Sequence, residues 1–269
     1  MRTHSDGDSP GRASAGLESE WNRFVLPGSQ VEKSGGTWRF INLESGGGQY
    51  TDAQIDDYQG LSRRRFRWNP PLTMTVRARF SHAADELIGT AGFGFWNDPF
   101  LMTGFRSPAL PRAIWFFYSS AHSNIKLARE APGWGWKAAT IDAVTLPFFL
   151  LAPTAPLAVP LMNVPPLYRW LWPVGQRAIK VSESAVGVEM AEWHRYELVW
   201  GETHAAFSVD GKSVLACDTA PGGPLGFVMW IDNQAMVLTP WGRFGYRTLP
   251  VSRAQWLEVD ELRIDAEIE

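Results

Sequence analysis

Several segments alternate apolar and polar residues with a period of two, and this pattern most constrains the fold. Residues 71–80 read PLTMTVRARF, residues 194–200 read HRYELVW, and residues 261–268 read ELRIDAEI. Each places its apolar side chains on one face of an extended strand, which is typical of antiparallel sheets with one buried face. Asp210-Gly211 lies between two further short runs and predicts a tight β-hairpin.

Composition agrees with strands joined by turns. The 269 residues include 14 Trp, 15 Phe, 25 Gly and 19 Pro, and none of the segments shows a long helical stripe. The prediction is an all-β antiparallel sandwich forming a single domain over residues 18–269. Residues 1–17 are polar and rich in Ser, Gly, Asp and Arg, which indicates a disordered leader.

Charge and cysteine content exclude several classes of function. The net charge is −3, which gives no electrostatic basis for nucleic-acid binding. Cys217 is the only cysteine, and the five histidines show neither HxH nor HExxH spacing, so we expect no metal site and no cofactor. The N-terminus lacks the apolar core of a secretory signal, so we expect a cytoplasmic protein.

Two predicted strands differ from the others because small residues lead into Trp-x-Asp. Residues 89–98 read GTAGFGFWND, and residues 225–234 read LGFVMWIDNQ. Spacing of two puts Trp96 with Asp98, and Trp230 with Asp232, opposite the apolar face. Glycine in a strand often marks the close approach of a ligand, so these four side chains are candidates for one cleft.

Other candidates come from neighbouring segments. Trp115 and Tyr118 belong to one predicted strand but to opposite faces, so only one of them can reach the cleft. Asn233 and Arg106 are additional polar candidates for ligand binding. Aromatic faces stack on sugar rings or flat apolar ligands, and carboxylates accept hydrogen bonds from hydroxyls.

A structural interpretation of the same residues stays open. The tryptophans can be core residues, and Asp98 before Pro99 and Asp232 before Asn233 can cap turns. The Asp-Asn pairs can also supply oxygen ligands to calcium, although no loop pattern supports such a site.

Residues 144–173 break the sandwich pattern. This stretch has one charge, Arg169, and seven prolines, which would interrupt a membrane-spanning helix. It predicts an apolar insertion between strands, with one or two short helical turns. The insertion can pack on the sandwich, cover the cleft as a lid, or contact a membrane surface or a protein partner.

The strand order resembles the family 16 glycoside hydrolases of the concanavalin A-like lectin/glucanase superfamily. Residues 72–96, 193–214 and 256–265 carry the likeness, the second with the hairpin WHRYELVWGETHAAFSVDGKSV. The resemblance implies a jelly-roll sandwich with its binding site on the concave sheet. It covers about half of the chain and identifies no substrate.

The chain departs from the family at the catalytic strand. Family 16 enzymes carry Glu-x-Asp-x-(x)-Glu there, whereas the strand at the corresponding place in this chain, residues 112–120, reads RAIWFFYSS and has no carboxylate. A retaining glycosidase needs two carboxyl groups about 5 Å apart. The resemblance therefore implies the fold and argues against the family's reaction.

Three functional hypotheses follow. The first is a binding module that holds a glycan or a lipophilic small molecule in an aromatic concave cleft. The second is an enzyme in which Asp98 and Asp232 act as an acid/base pair, with Tyr118 or Arg106, on a hydrophobic or carbohydrate substrate. The third is an interaction module that contacts a membrane surface or a protein through residues 144–173.

Overall fold

The computed structural model of the protein describes residues 21–99 and 107–266. The predicted leader (residues 1–17) and Arg106 lie outside the described residues. In chain order the strands are β1 Asn22–Val25, β2 Ser29–Ser34, β3 Thr37–Asn42, β4 Asp52–Asp56, β5 Leu72–Phe80, β6 Thr90–Trp96, β7 Arg112–Ser119, β8 Asn124–Ile125, β9 Gly135–Asp142, β10 Ser182–Ala185, β11 His194–Trp200, β12 Ala205–Val209, β13 Lys212–Cys217, β14 Gly226–Asp232, β15 Gln234–Leu238, β16 Phe244–Thr248 and β17 Gln255–Ala266. The helices are α1 Leu146–Leu151, α2 Ala155–Leu161 and α3 Pro165–Ala178.

Two antiparallel sheets of seven strands form the predicted sandwich, which is thereby confirmed. The first sheet has the order β1-β4-β14-β6-β7-β9-β10, and the second has the order β13-β12-β11-β5-β17-β3-β2. A small third sheet, β16-β15-β8, lies at one end. Aromatic side chains from both sheets meet in the core, where the Phe93 ring lies 5.3 Å from Tyr196 and 5.7 Å from Phe116.

The period-two pattern predicts the buried faces correctly. On β5, Leu72, Met74, Val76, Ala78 and Phe80 are all buried in the core between the sheets. At the C-terminus the register of β17 shifts between Val259 and Glu261, so a bulge resets which side chains point inward. Ala266, which the alternation predicts to be buried, is exposed, and residue 268 lies outside the described residues.

The predicted hairpin at Asp210-Gly211 joins β12 to β13. Asp210 has φ 51° and Gly211 has φ 75°, the left-handed pair of a type I′ turn. The Asp210 carboxylate also contacts His194 Nδ1 at 2.6 Å, which ties this turn to β11.

The apolar insertion is more helical than its prolines predict. It contains α1, a 3-10 turn at Ala152–Thr154, α2 and most of α3. Prolines occupy the first turn of each of these helices, where the missing N–H has no partner to lose. Thr145 Oγ1 caps α1 by accepting a hydrogen bond from Phe148 N at 3.1 Å. Proline therefore starts these helices, and only Pro160 and Pro173 lie inside one.

The helical segment 145–178 connects β9 to β10 and packs against the loops of the small third sheet. Trp172 Nε1 donates to Leu127 O at 2.7 Å, and Asn163 Nδ2 donates to Trp241 O at 3.2 Å. Its outer surface exposes large apolar side chains: Leu146, Phe149, Leu150, Leu157, Leu161, Val164, Trp170 and Val174. No helix within the described residues is long and apolar enough to cross a membrane.

Candidate functional site

The site lies on the outer face of the first sheet, where glycines make room for large rings. A Cβ added at Gly92 would come within 2.9 Å of Trp230 Cη2, and one at Gly94 would come within 2.5 Å of Trp115 Cβ. These rings therefore cross β6 at positions that carry no side chain. The glycines of this strand serve the packing of aromatic side chains on that face.

Four aromatic side chains form one continuous wall. The Trp115 ring lies 5.7 Å from Trp96, 5.5 Å from Trp230 and 5.3 Å from Phe117. Trp96 Nε1 donates to Tyr58 Oη at 2.8 Å, and Trp230 Nε1 donates to Thr90 Oγ1 at 3.0 Å. These hydrogen bonds hold two of the indoles in place, so the wall is a fixed surface rather than a set of free side chains.

This aromatic wall borders an open cleft of about 1060 Å³, part of which is open to solvent. Side chains from the small third sheet and its adjoining loop form the opposite wall: Ile125, Leu127, Met236 and Leu238. Most of the lining is apolar, and polar groups concentrate at one end. Such a cleft is typical of sites for a small molecule with a mainly apolar body.

Two carboxyl groups lie at the polar end of the cleft. Asp52 on β4 and Asp232 on β14 are direct partners in the antiparallel register and point to the same face. Tyr50 Oη lies 3.1 Å from Asp52 Oδ2 and 3.4 Å from Asp232 Oδ2. Because the same Tyr50 hydroxyl contacts both carboxyl groups, the distance between Asp52 Oδ2 and Asp232 Oδ2 cannot exceed the sum of these two distances.

Asp232 is held by donors from two strands. Its Oδ1 accepts from Thr90 N at 3.0 Å, Thr90 Oγ1 at 2.9 Å and Gln234 N at 3.0 Å. Its Oδ2 accepts from Gln234 Nε2 at 2.6 Å. Burial raises the pKa of Asp232 to about 7, although these hydrogen bonds oppose the rise.

Asp52 is less well satisfied. Burial, followed by the charge of Asp232, raises the pKa of Asp52 well above its usual range. Within the described residues, its buried Oδ1 has no hydrogen-bond partner, and neither has Gln234 Oε1. Within the described residues, two buried oxygen atoms at the polar end thus lack hydrogen-bond partners, and burial together with the neighbouring carboxyl favours the protonated form of Asp52.

Asp98 does not join Asp232. In the register of β6 and β14, Asp232 lies opposite Thr90, whereas Trp96 lies opposite Gly226. Trp96 stands six residues along β6 from Thr90, roughly 20 Å at about 3.3 Å per residue. Asp98 follows Trp96, so the two carboxyls stand at opposite ends of β6. Asp98 is buried with φ 44°, and its backbone O accepts from Arg63 Nη2 at 2.7 Å. The predicted acid/base pair Asp98–Asp232 is therefore not formed.

The remaining predicted residues divide between the cleft and other places. Trp96, Trp115 and Trp230 line the cleft together. Tyr118 points into the core, where its hydroxyl donates to Ala84 O at 2.6 Å and Leu87 O at 2.7 Å, so it does not reach the cleft.

Asn233 lies where the chain leaves β14 for β15. Its Oδ1 accepts from Thr51 N at 2.9 Å, and its Nδ2 donates to Gln49 O and Leu249 O, both at 2.8 Å. Both polar atoms of this side chain are thereby used to fix the junction between β14 of the first sheet and β15 of the third sheet.

The other charged groups at the cleft are paired. Lys137, fully buried, contacts Glu183 Oε1 at 3.2 Å, and Arg112 Nε contacts Asp142 Oδ1 at 2.9 Å. Across residues 21–99 and 107–266 there is no group of three or more His, Cys, Asp or Glu side chains placed to hold a metal ion. On β7, the side chains that face the cleft are Ala113, Trp115 and Phe117, none of which is a carboxylate.

Asp52 and Tyr50 were missed by sequence reasoning, although a signal exists. Residues 51–56 read TDAQID, in which Asp52, Gln54 and Asp56 alternate with Ala53 and Ile55. This is the period-two pattern of a strand with an acidic outer face. Without the strand order, nothing in that pattern places Asp52 beside Asp232.

Comparisons with known proteins find likeness in structure alone. No protein-family model matches the sequence, and no curated protein matches it. LamA from Zobellia galactanivorans, solved with laminaritriose and laminaritetraose, matches with TM-score 0.51 and 12% identity over 92% of each chain. A GlcNAcα1-4Gal-releasing endo-β-galactosidase from Clostridium perfringens matches with TM-score 0.50 and 14% identity over 91% of this chain.

This chain spans 57% of that galactosidase. A glycoside hydrolase family 16 endo-glucanase from Bacteroides ovatus matches with TM-score 0.49 and 11% identity, over 92% of this chain and 95% of that one. Identities this low show the fold. The chain has the concanavalin A-like jelly roll that its resemblance to the family 16 glycoside hydrolases implies.

Proposed function

We propose that this protein binds a glycan or a lipophilic small molecule in the cleft on the outer face of its first sheet. The continuous aromatic wall of Trp96, Trp115, Phe117 and Trp230 carries this proposal. Aromatic faces pack against sugar rings and against flat apolar molecules with little loss of conformational entropy. The polar end, with Asp52, Asp232 and Gln234, would orient the ligand.

Trp115→Ala tests the proposal, because Trp115 contacts three other rings of the wall but makes no side-chain hydrogen bond in the described structure. The probes are laminaritetraose, bound in the complex of the neighbour LamA, and N-phenyl-1-naphthylamine, a neutral apolar fluorophore. We expect whichever probe binds to lose roughly tenfold in affinity, which corresponds to about 1.4 kcal/mol.

Trp256→Ala is the matched control. Trp256 lies on the second sheet, where Arg39 and Arg79 stack on its ring, and it is remote from the cleft. Its substitution removes the same indole without touching the wall. Equal affinity of the wild type, Trp115→Ala and Trp256→Ala for both probes, with all three folded by circular dichroism, contradicts the proposal.

A second candidate function is acid/base catalysis, favoured by the pairing of Asp52 with Asp232 through Tyr50. A protonated carboxyl beside an ionised one is the arrangement that divides the roles of acid and base. The distance between Asp52 Oδ2 and Asp232 Oδ2 is at most about 6.5 Å, the shortest carboxyl spacing of inverting glycosidases.

The catalytic candidate predicts turnover that depends on Asp52. Release of reducing ends from laminaritetraose should occur in the wild type and fall by at least about a hundredfold in Asp52→Asn. Turnover that survives this substitution, or its absence in the wild type, removes catalysis on this substrate from consideration.

A third candidate, contact with a membrane surface or a protein through the helical segment 145–178, has one specific observation in its favour. Leu150, Leu157 and Trp170 are each at least 69% exposed, and the segment contains no Asp or Glu. Exposed apolar groups on helices with cationic neighbours suit an anionic lipid surface. Flotation with phosphatidylserine vesicles should be lost in Leu150→Ser/Trp170→Ser, and equal flotation of this variant and the wild type counts against the contact.

A further inference from the structure

Two oxygen atoms at the polar end of the cleft have no hydrogen-bond donor among the described residues. Asp52 Oδ1 and Gln234 Oε1 are buried acceptors with no partner in the described part of the chain, and both residues line the cleft. Tyr50 Oη, which could donate, is already directed at the two carboxyl groups. A buried acceptor without a donor costs free energy, so a ligand that brings N–H or O–H groups to these atoms gains from filling the gap.

No cation among residues 21–99 and 107–266 contacts the carboxyl groups at the polar end. Every contact of Asp52 and Asp232 found in residues 21–99 and 107–266 is to a neutral donor. The titratable groups nearest to them are Tyr50, Tyr246 and Asp56, which are all acids. Arg112, which lines the cleft, pairs with Asp142, and the cleft-lining Glu183 is paired with the buried Lys137 behind it. Any negative charge on the Asp52–Asp232 pair is thus uncompensated.

We propose that the cleft selects ligands in which a protonated amine is attached to an apolar or ring-shaped body, an inference that rests on the proposed binding function. A primary ammonium group carries three N–H donors, enough for Asp52 Oδ1 and Gln234 Oε1 together. Its charge compensates the carboxyl pair. The body of the ligand then extends along the aromatic wall from Trp230 toward Trp115.

Trp230 adds a second source of selectivity for a cation. Its indole Nε1 donates to Thr90 Oγ1, the hydroxyl that also donates to Asp232, so the indole stands directly beside the carboxyl pair. Aromatic faces attract cations, and indole does so most strongly. An amine bound at the pair would therefore have the Trp230 ring of the aromatic wall beside it.

The pH dependence separates this proposal from binding of a neutral ligand. An ammonium group binds best to the ionised pair, so its affinity should rise with pH as Asp52 and Asp232 release protons. A ligand with a carbonyl or ether acceptor would instead need the proton on Asp52, and its affinity should fall over the same range. An alcohol brings a single O–H donor and no charge, so it can satisfy only one of the two acceptors, and its affinity should change little with pH.

Octylamine and octan-1-ol are matched probes, since they differ only in the terminal group. Titration calorimetry at pH 6 and pH 8 should show octylamine binding about tenfold more tightly than octan-1-ol at the higher pH, with a smaller preference at pH 6. Asp52→Asn should remove the preference for the amine, because the asparagine amide carries no negative charge and has N–H groups of its own. Asp218→Asn, an exposed aspartate at the end of β13, is the control and should behave as the wild type.

The outcomes distinguish the two levels of the proposal. If both probes bind equally at both pH values, and Trp115→Ala weakens both, amine selection is wrong while the binding cleft stands. If octylamine is preferred equally by the wild type and Asp52→Asn, the amine does not bind at the carboxyl pair, which overturns the inference. Binding of neither probe also overturns it, and the proposed function is then judged by laminaritetraose and N-phenyl-1-naphthylamine.

Discussion

Replacing Asp52 by asparagine should change how the stability of the protein depends on pH. Burial raises the pKa of Asp52 well above its usual value and that of Asp232 to about 7. The folded protein therefore holds protons that the unfolded chain releases near about pH 4. The contribution of these two groups to the free energy of unfolding is greatest below that pH and falls as the pH rises toward their folded-state pKa values.

The slope gives the magnitude. For each proton that only the folded state holds, the free energy of unfolding falls by about 1.4 kcal/mol for every unit by which the pH rises. For Asp232, a rise in pKa from 3.8 to about 7 corresponds to a total of about 4 kcal/mol as an upper limit. Asp52→Asn removes one titrating group and its repulsion of Asp232. Above about pH 5 the slope should become shallower by up to about 1.4 kcal/mol per pH unit, over the range in which the folded wild type keeps the proton of Asp52.

Denaturation by urea at pH 5, 6 and 7, followed by tryptophan fluorescence, measures this difference. Asp57, whose pKa burial also raises to about 7, titrates in both proteins and cancels in the comparison. Asp218→Asn, at an exposed site, should run parallel to the wild type. If the curves of Asp52→Asn and the wild type are parallel as well, Asp52 does not hold a proton that the unfolded chain releases, and the reasoning on the pair is refuted.

Three further substitutions probe the packing around the cleft. Gly92→Ala places a Cβ within 2.4 Å of Phe116 O, so it should destabilise the protein by about 1–3 kcal/mol; an unchanged thermal midpoint would contradict this. Lys137→Met leaves Glu183 buried without its cation and should cost about 3–5 kcal/mol in urea denaturation, part of which Lys137→Met/Glu183→Gln should recover. Asn233→Ala removes three hydrogen bonds, two of them fully buried, and should lower the free energy of unfolding by roughly 2–4 kcal/mol. The folded fraction of this variant should bind ligand as the wild type does. A loss of affinity without a loss of stability would make Asn233 a ligand contact.

The sequence by itself determined the class of fold and much of the wall of the cleft. Period-two alternation depends only on the geometry of an extended chain, so it predicted the buried faces of β5 and β11 and the shared face of Trp96 with Gly92 and Gly94. The hairpin at Asp210-Gly211 was equally readable, because only a few residues adopt the positive φ angles that its turn requires.

The helical segment shows where local reasoning was misleading. Proline is expected to interrupt a helix, yet most of these prolines begin helices. The difference depends on whether a proline stands in the first turn or inside the helix. That position is not fixed by composition. It depends on Thr145 as the cap of α1 and on the tertiary contacts that place Trp172 against Leu127.

Only the tertiary structure decided which carboxyl groups meet. Asp98 and Asp232 follow the same Trp-x-Asp pattern, and each stands at the C-terminal end of its strand. Because β6 and β14 pair antiparallel, these two strand ends lie at opposite ends of the pair. The same pairing rule brings Asp52, distant by 180 residues along the chain, directly opposite Asp232. A strand's own sequence fixes which face each side chain takes, whereas the neighbour across that face is set by strand order and register, and these arise from packing of the whole sandwich.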